Sequence, residues 1–272
     1  MRATVAISRD KKKIMDYSGF QSALLVGEAD FSFTAAFAKE PSFRGSITAT
    51  EYSSAFDILN LYYPSETSHN AFPAVVPSFL VELLKTPNVS HIMASVDAKQ
   101  LANVDTCLCE PLIRTQQEGY TLFGAAQPFW TIVQDQRPFD LVIFNCPHTD
   151  QWGKAPRLLK FFFAQLRQCI LNDSMSMMTS DLVVELRLRD LTRLSARKVR
   201  MSYQHEEAAY AANFRLLGVY PNDNKHWEAL GYEHKQTKRN VSCRNLPCQV
   251  WRWHYDCTTA TAEAATKDGK RV

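Results

Sequence analysis

Short apolar runs of strand length alternate with longer segments of helical periodicity along most of the chain. These runs are apolar or β-branched, which is typical of buried strands, and they lie at residues 22–26, 46–50, 89–96, 139–144, 174–179 and 214–220. A last run, residues 249–255, alternates bulky apolar with polar side chains, as a half-buried strand does. This order predicts an α/β, Rossmann-like fold: a mostly parallel seven-stranded sheet with helices on both faces and an antiparallel last strand.

Helical periodicity is found between these strands. Helices are predicted at residues 32–39, 78–85, 158–171, 181–201 and 203–213, with another ending near Leu61. The helix at 181–201 carries arginines at helical spacing on one face: Arg189, Arg193, Arg197 and Arg200. Such a stripe can contact an RNA backbone, or it can be an ordinary solvated face. Residues 101–138 have a weaker pattern and are predicted to be an insertion, with a helix through Leu112.

The predicted domain organisation is simple. Residues 1–20 form a polar leader, residues 21–257 one Rossmann-like domain, and residues 258–272 a disordered tail. The chain has 272 residues, of which 46% are apolar, so it can bury a substantial core. Its net charge of +3 neither requires nor excludes a nucleic-acid partner.

Cysteine usage and apolar run length exclude several classes of protein. The seven cysteines are an odd number without a secretory signal, so free thiols in a reducing compartment are expected. The spacings of Cys243, Cys248 and Cys257 to His234 or His254 fit no common zinc pattern, so no metal is expected. No apolar run approaches the roughly 20 residues of a membrane span.

The turn after the first strand carries the candidate chemistry. Gly27 is its only glycine, Glu28 and Asp30 flank Ala29, and a helix begins at Ser32. A phosphate cradle needs several glycines, and two carboxylates would repel a phosphate, which counts against a dehydrogenase-like nucleotide enzyme. An acidic turn suits a ligand with a cationic centre and hydroxyls, such as S-adenosylmethionine. The alternative is a tight turn with solvated acids.

Polar residues also follow three other predicted strands, and the carboxyl ends of parallel strands form the ligand edge of such a sheet. Glu51-Tyr52 follow the second strand, where a carboxylate commonly binds ribose hydroxyls; a helix N-terminal acid is the alternative. Asp97-Ala98 follow the third strand, at the ligand edge or as the cap of a helix beginning near Lys99. Asn145-Cys146-Pro147-His148 follow the fourth.

Five segments resemble one known family in the same order: GEADFSF at 27–33, ITATEY at 47–52, VDA at 96–98, FDLVIFNCPHTD at 139–150 and GYEHKQT at 231–237. Together they resemble the ribosomal-RNA uridine-N3-methyltransferase family over residues 22–237. Two residues depart from the family pattern: Ala29 stands where the family has a second glycine, and Cys146 replaces an aromatic residue.

The resemblance implies a class I methyltransferase fold with S-adenosylmethionine as cofactor. The implied cofactor-binding residues are Gly27, Glu28, Ala29, Asp30, Phe31, Ser32, Glu51, Tyr52, Asp97, Ala98 and Asn145. The implied wall facing the target base consists of Asn145, Pro147 and His148. His148 is our candidate for the base that removes the imide proton, because neutral imidazole is available near pH 7; a structural histidine is the alternative.

The same resemblance gives the expected partner and function. The basic segment at its end is assigned to the rim that faces RNA, with an ordinary solvated loop as the alternative: Tyr232, His234, Lys235, Lys238 and Arg239. The expected function is methylation of a uridine imide nitrogen in ribosomal RNA during ribosome biogenesis, by a monomer or within a larger ribonucleoprotein. The alternative is a methyltransferase-fold protein with reduced or no catalysis that binds ribosomal RNA as an assembly factor. The nucleolus is the expected compartment, with the mitochondrion as the alternative because residues 1–10 carry two arginines.

Overall fold

A computed structural model describes residues 15–63, 77–114, 121–145, 147, 154–172, 177–189, 204–232, 235–236, 241–242 and 248–258. The strands are β1 (Ser22–Val26), β2 (Ser46–Thr50), β3 (Val89–Ala94), β4 (Leu108–Arg114), β5 (Thr121–Phe123), β6 (Gln127–Pro128), β7 (Phe139–Asn145), β8 (Met178–Arg189), β9 (Phe214–Pro221), β10 (Lys235–Gln236), β11 (Val241–Ser242) and β12 (Cys248–Tyr255). The helices are α1 (Ser32–Phe37), α2 (Ala55–Tyr62), α3 (Ser78–Leu84), α4 (Phe129–Val133), α5 (Ala155–Leu171), α6 (His205–Ala211) and α7 (Asn224–Ala229).

One large sheet organises the molecule, with the strand order β5-β4-β3-β2-β1-β7-β8-β12-β9 and β6 paired to β4. Strands β3, β2, β1, β7 and β8 pair in parallel, and β12 lies antiparallel between β8 and β9. The predicted α/β class, with a mostly parallel sheet and an antiparallel last strand, is therefore confirmed. The sheet is wider than the predicted seven strands, because β4, β5 and β6 extend it beyond β3.

Residues 101–138, predicted to be an insertion with a helix through Leu112, contain the strands that extend the sheet. Residues 108–114 form strand β4, not the end of a helix, and β4 pairs antiparallel with β3. Leu108 is exposed and Cys109 buried, which is the two-residue alternation of a strand, and Pro111 is incompatible with a helix interior. Residues near Lys99 form turns rather than a helix.

The largest difference from the prediction lies in strand β8. The predicted amphipathic helix at 181–201 is wrong over residues 181–189, which continue a twelve-residue strand. Every residue from Leu182 to Leu188 is buried, because β8 lies between β7 and β12 and is covered on both faces. Arg189 therefore belongs to a strand and does not begin a stripe at helical spacing. The remaining members of that stripe, Arg193, Arg197 and Arg200, lie outside the described residues.

Two apolar layers cover the sheet. One layer packs α5, α6 and α4 against it; the other packs α1, α2, α3 and Trp227 of α7. Tyr17 is fully buried in the second layer, so the packed domain begins before residue 21, and residues 15–20 are part of it rather than of a polar leader. Within the described residues, no helix has the length and apolar content of a membrane span.

Candidate functional site

The carboxyl edge of the parallel strands carries the loop after β1, and this loop is fastened to β2. Gly27 adopts a left-handed φ of 72°, and a side chain there would begin 3.0 Å from the ring of Phe144. Both observations favour glycine at this position. The backbone N–H groups of Gly27 and Glu28 both donate to the carbonyl of Thr50, at 3.0 and 3.2 Å. The loop is thus held at the end of its neighbouring strand.

Two non-glycine residues of this loop are also left-handed: Ala29 has a φ of 54° and Phe31 a φ of 61°. The backbone N–H of Ala29 donates to Oε2 of Glu51 at 2.8 Å. The alanine at the family's glycine position therefore adopts the backbone conformation that favours glycine. Its amide also brings Glu51 into contact with the loop.

Asp30 fixes the start of α1 rather than pointing into solvent. Its Oδ1 accepts hydrogen bonds from the backbone N–H of Ser32 at 3.1 Å and from the Ser32 hydroxyl at 2.7 Å. The hydroxyl of Tyr63, at the end of α2, donates to the Asp30 carbonyl at 2.7 Å. The Tyr63 contact was missed from the sequence, since no local pattern links residues 33 positions apart.

Glu28 is 2% exposed and lies beneath the loop. Its Oε2 accepts a hydrogen bond from the Thr34 hydroxyl at 2.8 Å, and its Oε1 has no hydrogen-bond partner among the described residues. Burial raises the pKa of Glu28 to about 8, an effect that the Thr34 hydrogen bond and the charge of Arg187 partly oppose. The Glu28 carboxyl is therefore harder to ionise than that of a free glutamate.

Glu51 links the loop to the segment after β2. Besides Ala29, its carboxylate accepts from the backbone N–H and the hydroxyl of Ser53, at 3.3 and 3.1 Å through Oε1. Burial raises the pKa of Glu51, and these hydrogen bonds oppose the shift. The cap of α2 is Ser54, whose hydroxyl accepts from the N–H of Asp57. Glu51 lies three residues before this cap, and its ribose role remains a prediction.

The ends of β2 and β3 meet around Lys99. Its Nζ lies 3.3 Å from a carboxylate oxygen of Asp97 and 5.7 Å from the ring centre of Tyr52. Asp97 also accepts from the backbone N–H of Lys99, so it caps a turn, while Ala98 is buried. Tyr52 is 65% exposed. This leaves an aromatic face available beside the edge where Glu51 and Asp97 lie.

Glu110 of β4 is a second residue that the sequence did not reveal. Its Oε2 accepts from the backbone N–H of Ala55 at 2.8 Å, and its Oε1 accepts from the Ser95 hydroxyl at 3.1 Å. One carboxylate thereby joins the start of α2 to the turn after β3. Residues 101–112 were predicted to include a helix, so the strand position of Glu110 could not be inferred.

Asn145 ends β7, and Phe144 pairs with Val26 of β1, so Asn145 lies directly beside Gly27. Asn145 is 8% exposed, and its Nδ2 donates to the hydroxyl of Tyr232 at 3.1 Å. The Tyr232 ring packs edge-on against Phe33 of α1, at 5.3 Å between ring centres. Tyr232, predicted for the RNA-facing rim, therefore contacts a predicted catalytic residue.

Of the other predicted site residues, some belong to the described part of the chain and some do not. Pro147 is buried next to Asn145. His148, His234, Lys238 and Arg239 lie outside the described residues, and Lys235 is described only as part of the backbone of β10. No group of three or more His, Cys, Asp or Glu side chains in the described part of the chain could hold a metal ion.

A buried charged cluster below this edge was also missed. Arg187 of β8 lies over the rings of Phe33 and Trp227, at 4.2 and 4.6 Å from their centres. Its Nη2 donates to the Tyr17 hydroxyl, which in turn donates to Glu185. Glu185 also accepts from Nε of Arg252 on β12. This cluster could not be inferred from the sequence, because residues 181–201 were predicted to form a helix with its arginines on an outer face.

Comparison with solved structures finds distant likenesses. The 16S rRNA methyltransferase KamB matches with 14% identity and a TM-score of 0.42, covering 87% of this chain and 88% of that chain. An O-methyltransferase from Bacillus cereus in complex with SAH has 10% identity and a TM-score of 0.41, covering 87% and 75%. A fibrillarin/Nop5p complex has 12% identity and a TM-score of 0.42, covering 90% and 77%. At this similarity, the fold assignment depends on the strand order described above.

Sequence comparison gives the more specific result. No curated protein matches the chain. A family model described as rRNA (uridine-N3-)-methyltransferase BTM5-like matches residues 24–236, which include the loop after β1, the ends of β2, β3 and β7, and Tyr232. The chain therefore belongs to the BMT5-like family of rRNA (uridine-N3-)-methyltransferases.

Proposed function

We propose that this protein is an S-adenosylmethionine-dependent methyltransferase that methylates the N3 imide nitrogen of a uridine in ribosomal RNA. The observation that carries this proposal is the convergence of the loop after β1, Glu51 and Asn145 at one edge of the sheet. Gly27 and Glu28 are bound to the end of β2, Ala29 is bound to Glu51, and Gly27 lies beside Asn145. The family match covers all of these residues.

The donors and acceptors at this edge fit the proposed cofactor. Oε1 of Glu28 is a buried acceptor without a partner among the described residues, and it suits an ammonium or sulfonium charge. A cation beside Glu28 would lower its pKa and favour the carboxylate. Glu51 retains acceptor capacity for ribose hydroxyls, and Tyr52 offers an exposed aromatic face to an adenine. The cofactor would supply a methyl group that is already electrophilic, so orientation of the uridine is the main task left to the protein.

Asn145 is suited to that orientation. The imide nitrogen must lose its proton before it can attack a methyl group, and the negative charge then spreads onto the two carbonyl oxygens of the uracil. One Nδ2 proton of Asn145 is donated to Tyr232, which leaves the second proton to donate to a uracil oxygen. His148 remains our candidate for the base that takes the imide proton.

The test is methyl transfer to ribosomal RNA that lacks the modification. Purified protein is incubated with such RNA and with S-adenosylmethionine labelled in its methyl group, and the digested nucleosides are separated and identified by mass spectrometry. The expected product is 3-methyluridine. Asn145→Ala should lower the rate about 100-fold, because a donor to the developing charge is lost. Asn88→Ala is the matched control, since the Asn88 amide bonds the Ala38 carbonyl at the opposite edge of the sheet.

A second candidate function is favoured by Ala29. A methyl group at the family's glycine position, on a residue with a φ of 54°, is a departure at the point where the cofactor would approach. We propose as the alternative a ribosome assembly factor that binds ribosomal RNA without methylating it. Calorimetric titration with S-adenosylmethionine separates the two, because absence of binding favours the assembly factor. If the cofactor binds and the methyl-transfer assay yields a methylated nucleoside other than 3-methyluridine, only the N3 specificity is rejected. The compartment would follow the RNA, with the nucleolus expected and the mitochondrion as the alternative.

A further inference from the structure

We infer that Tyr232 is a positioning residue that orients the side-chain amide of Asn145 toward the target uracil. The inference rests on the proposed function, since it assigns Asn145 to substrate binding. It also moves Tyr232 from an RNA-facing rim into the site itself. The contact that carries it is the hydrogen bond from Asn145 Nδ2 to the Tyr232 hydroxyl at 3.1 Å.

The chain brings Tyr232 to this position by crossing back over the sheet after β9. Strand β9 ends at the same edge as β7, and α7 then packs beside α1. Trp227 of α7 is buried against Phe33 and Phe37, at 5.0 and 6.2 Å between ring centres. The backbone N–H of Tyr232 donates to the Trp227 carbonyl at 2.9 Å. The position of Tyr232 is therefore set by a buried anchor five residues earlier.

Further contacts hold this crossing segment to the turn that follows α1. Nε2 of His226 lies 2.6 Å from Oε2 of Glu40, and Nζ of Lys39 donates to the Leu230 carbonyl at 3.4 Å. The Tyr232 ring itself packs against Phe33. These contacts hold the segment and the Tyr232 ring in place, so the hydroxyl is positioned to accept from the Asn145 amide.

The hydrogen bond fixes the plane of that amide. The Tyr232 hydroxyl lies 3.1 Å from Nδ2 and holds the amide against rotation about its side-chain bond. With Nδ2 bonded to Tyr232, the second Nδ2 proton can donate to a uracil carbonyl oxygen, where negative charge develops as the imide proton leaves. Without the Tyr232 hydroxyl the amide rotates more freely, and only part of its population presents a donor to the uracil.

The test compares Tyr232→Phe, which keeps the ring on Phe33, with Tyr210→Phe, an exposed tyrosine of α6. Single-turnover methyl transfer to ribosomal RNA should slow about tenfold in Tyr232→Phe, with cofactor affinity changed less than twofold. In an Asn145→Ala background, Tyr232→Phe should have no further effect. A rate equal to wild type, or an effect that adds fully to that of Asn145→Ala, overturns the inference. Tyr210→Phe should behave as wild type.

A second readout does not depend on activity. In ¹⁵N-labelled protein, the side-chain NH2 resonances of Asn145 should shift, and their exchange with solvent should accelerate, in Tyr232→Phe but not in Tyr210→Phe. If the wild type transfers no methyl group, the proposed function fails and this readout alone decides the inference. Unchanged Asn145 resonances in Tyr232→Phe would then reject it.

Discussion

At the scale of single residues, two acidic side chains of the loop after β1 lie in environments that the sequence does not distinguish. Glu28 and Asp30 look alike in the sequence as two acids flanking Ala29, but only one of them is buried without a charged or backbone donor. Asp30 accepts hydrogen bonds from Ser32 at the start of α1, whereas Glu28 lies beneath the loop with the Thr34 hydroxyl as its hydrogen-bond donor. The two carboxyls therefore lie in different environments, which leads to a prediction for Glu28.

Glu28→Gln should change how stability depends on pH. The folded-state pKa of Glu28 is raised from 4.5 to about 8, so its contribution to stability is fully present below pH 4.5 and is lost as the pH rises through 8. The glutamine variant lacks this loss. Its free energy of unfolding should therefore gain on that of the wild type between pH 5 and 8, by at most about 1.4 kcal/mol for each pH unit.

Urea unfolding at three pH values across that window measures the difference. Glu207→Gln, which removes an exposed carboxyl from α6, is the control for the loss of a charge. A constant difference between Glu28→Gln and wild type across the window would show that Glu28 is ionised in the folded protein.

Ala29→Gly should be far better tolerated than a glycine elsewhere in the same region. Ala29 has a φ of 54°, where an alanine costs about 1–2 kcal/mol and glycine nothing, so this gain offsets the entropy that glycine loses on folding. The matched control is Ala35→Gly in α1, which has no such gain and should cost about 1 kcal/mol. Thermal unfolding of both variants tests this. Equal destabilisation by the two glycines would contradict the left-handed conformation of Ala29.

At the scale of elements, the sequence predicts those strands whose signal is local. The bounds of β1 and β2 agree with prediction, and β7 is one residue longer, because each is a short apolar or β-branched run between turn residues. Strand β8 was mispredicted because Leu182, Val184, Leu186 and Leu188 alternate along a strand while Val184 and Leu188 also fit helical spacing. The segment forms a strand because both of its faces are buried. It is paired with β7 and β12, which are distant in sequence, so a local pattern could not show this.

The residues of the candidate site also fall into those with a local sequence signal and those without one. Gly27, Glu51, Asp97 and Asn145 were predictable, since each follows a strand and the carboxyl ends of parallel strands share one edge. Tyr63, Glu110 and the position of Tyr232 were not, because each reaches the site through a contact between elements far apart in the chain. Asn145 and Tyr232, for example, are separated by 87 residues.

At the scale of the whole molecule, one buried cluster joins three distant parts of the chain. Tyr17 precedes the first strand, Glu185 and Arg187 belong to β8, and Arg252 to the last strand. The Tyr17 hydroxyl donates to Glu185 at 3.1 Å and accepts from Arg187 at 3.2 Å, while the Arg252 guanidinium lies 5.1 Å from the Tyr17 ring centre. Arg187 carries the connection onward to Phe33 and Trp227, which pack beside Tyr232.

This cluster should be a main determinant of stability, and its members should act as a unit. Tyr17→Phe keeps the ring but leaves Glu185 and Arg187 without a shared hydroxyl, which should cost about 1–3 kcal/mol of unfolding free energy. Glu185→Gln leaves the buried Arg187 and the half-buried Arg252 without their carboxylate and should cost about 3–5 kcal/mol. The double variant should lose less than the sum, because each single change already disrupts the same network. Denaturant unfolding of the two single variants and the double variant measures the coupling, with Tyr210→Phe as the exposed control; strictly additive losses would mean that Tyr17 and Glu185 contribute independently.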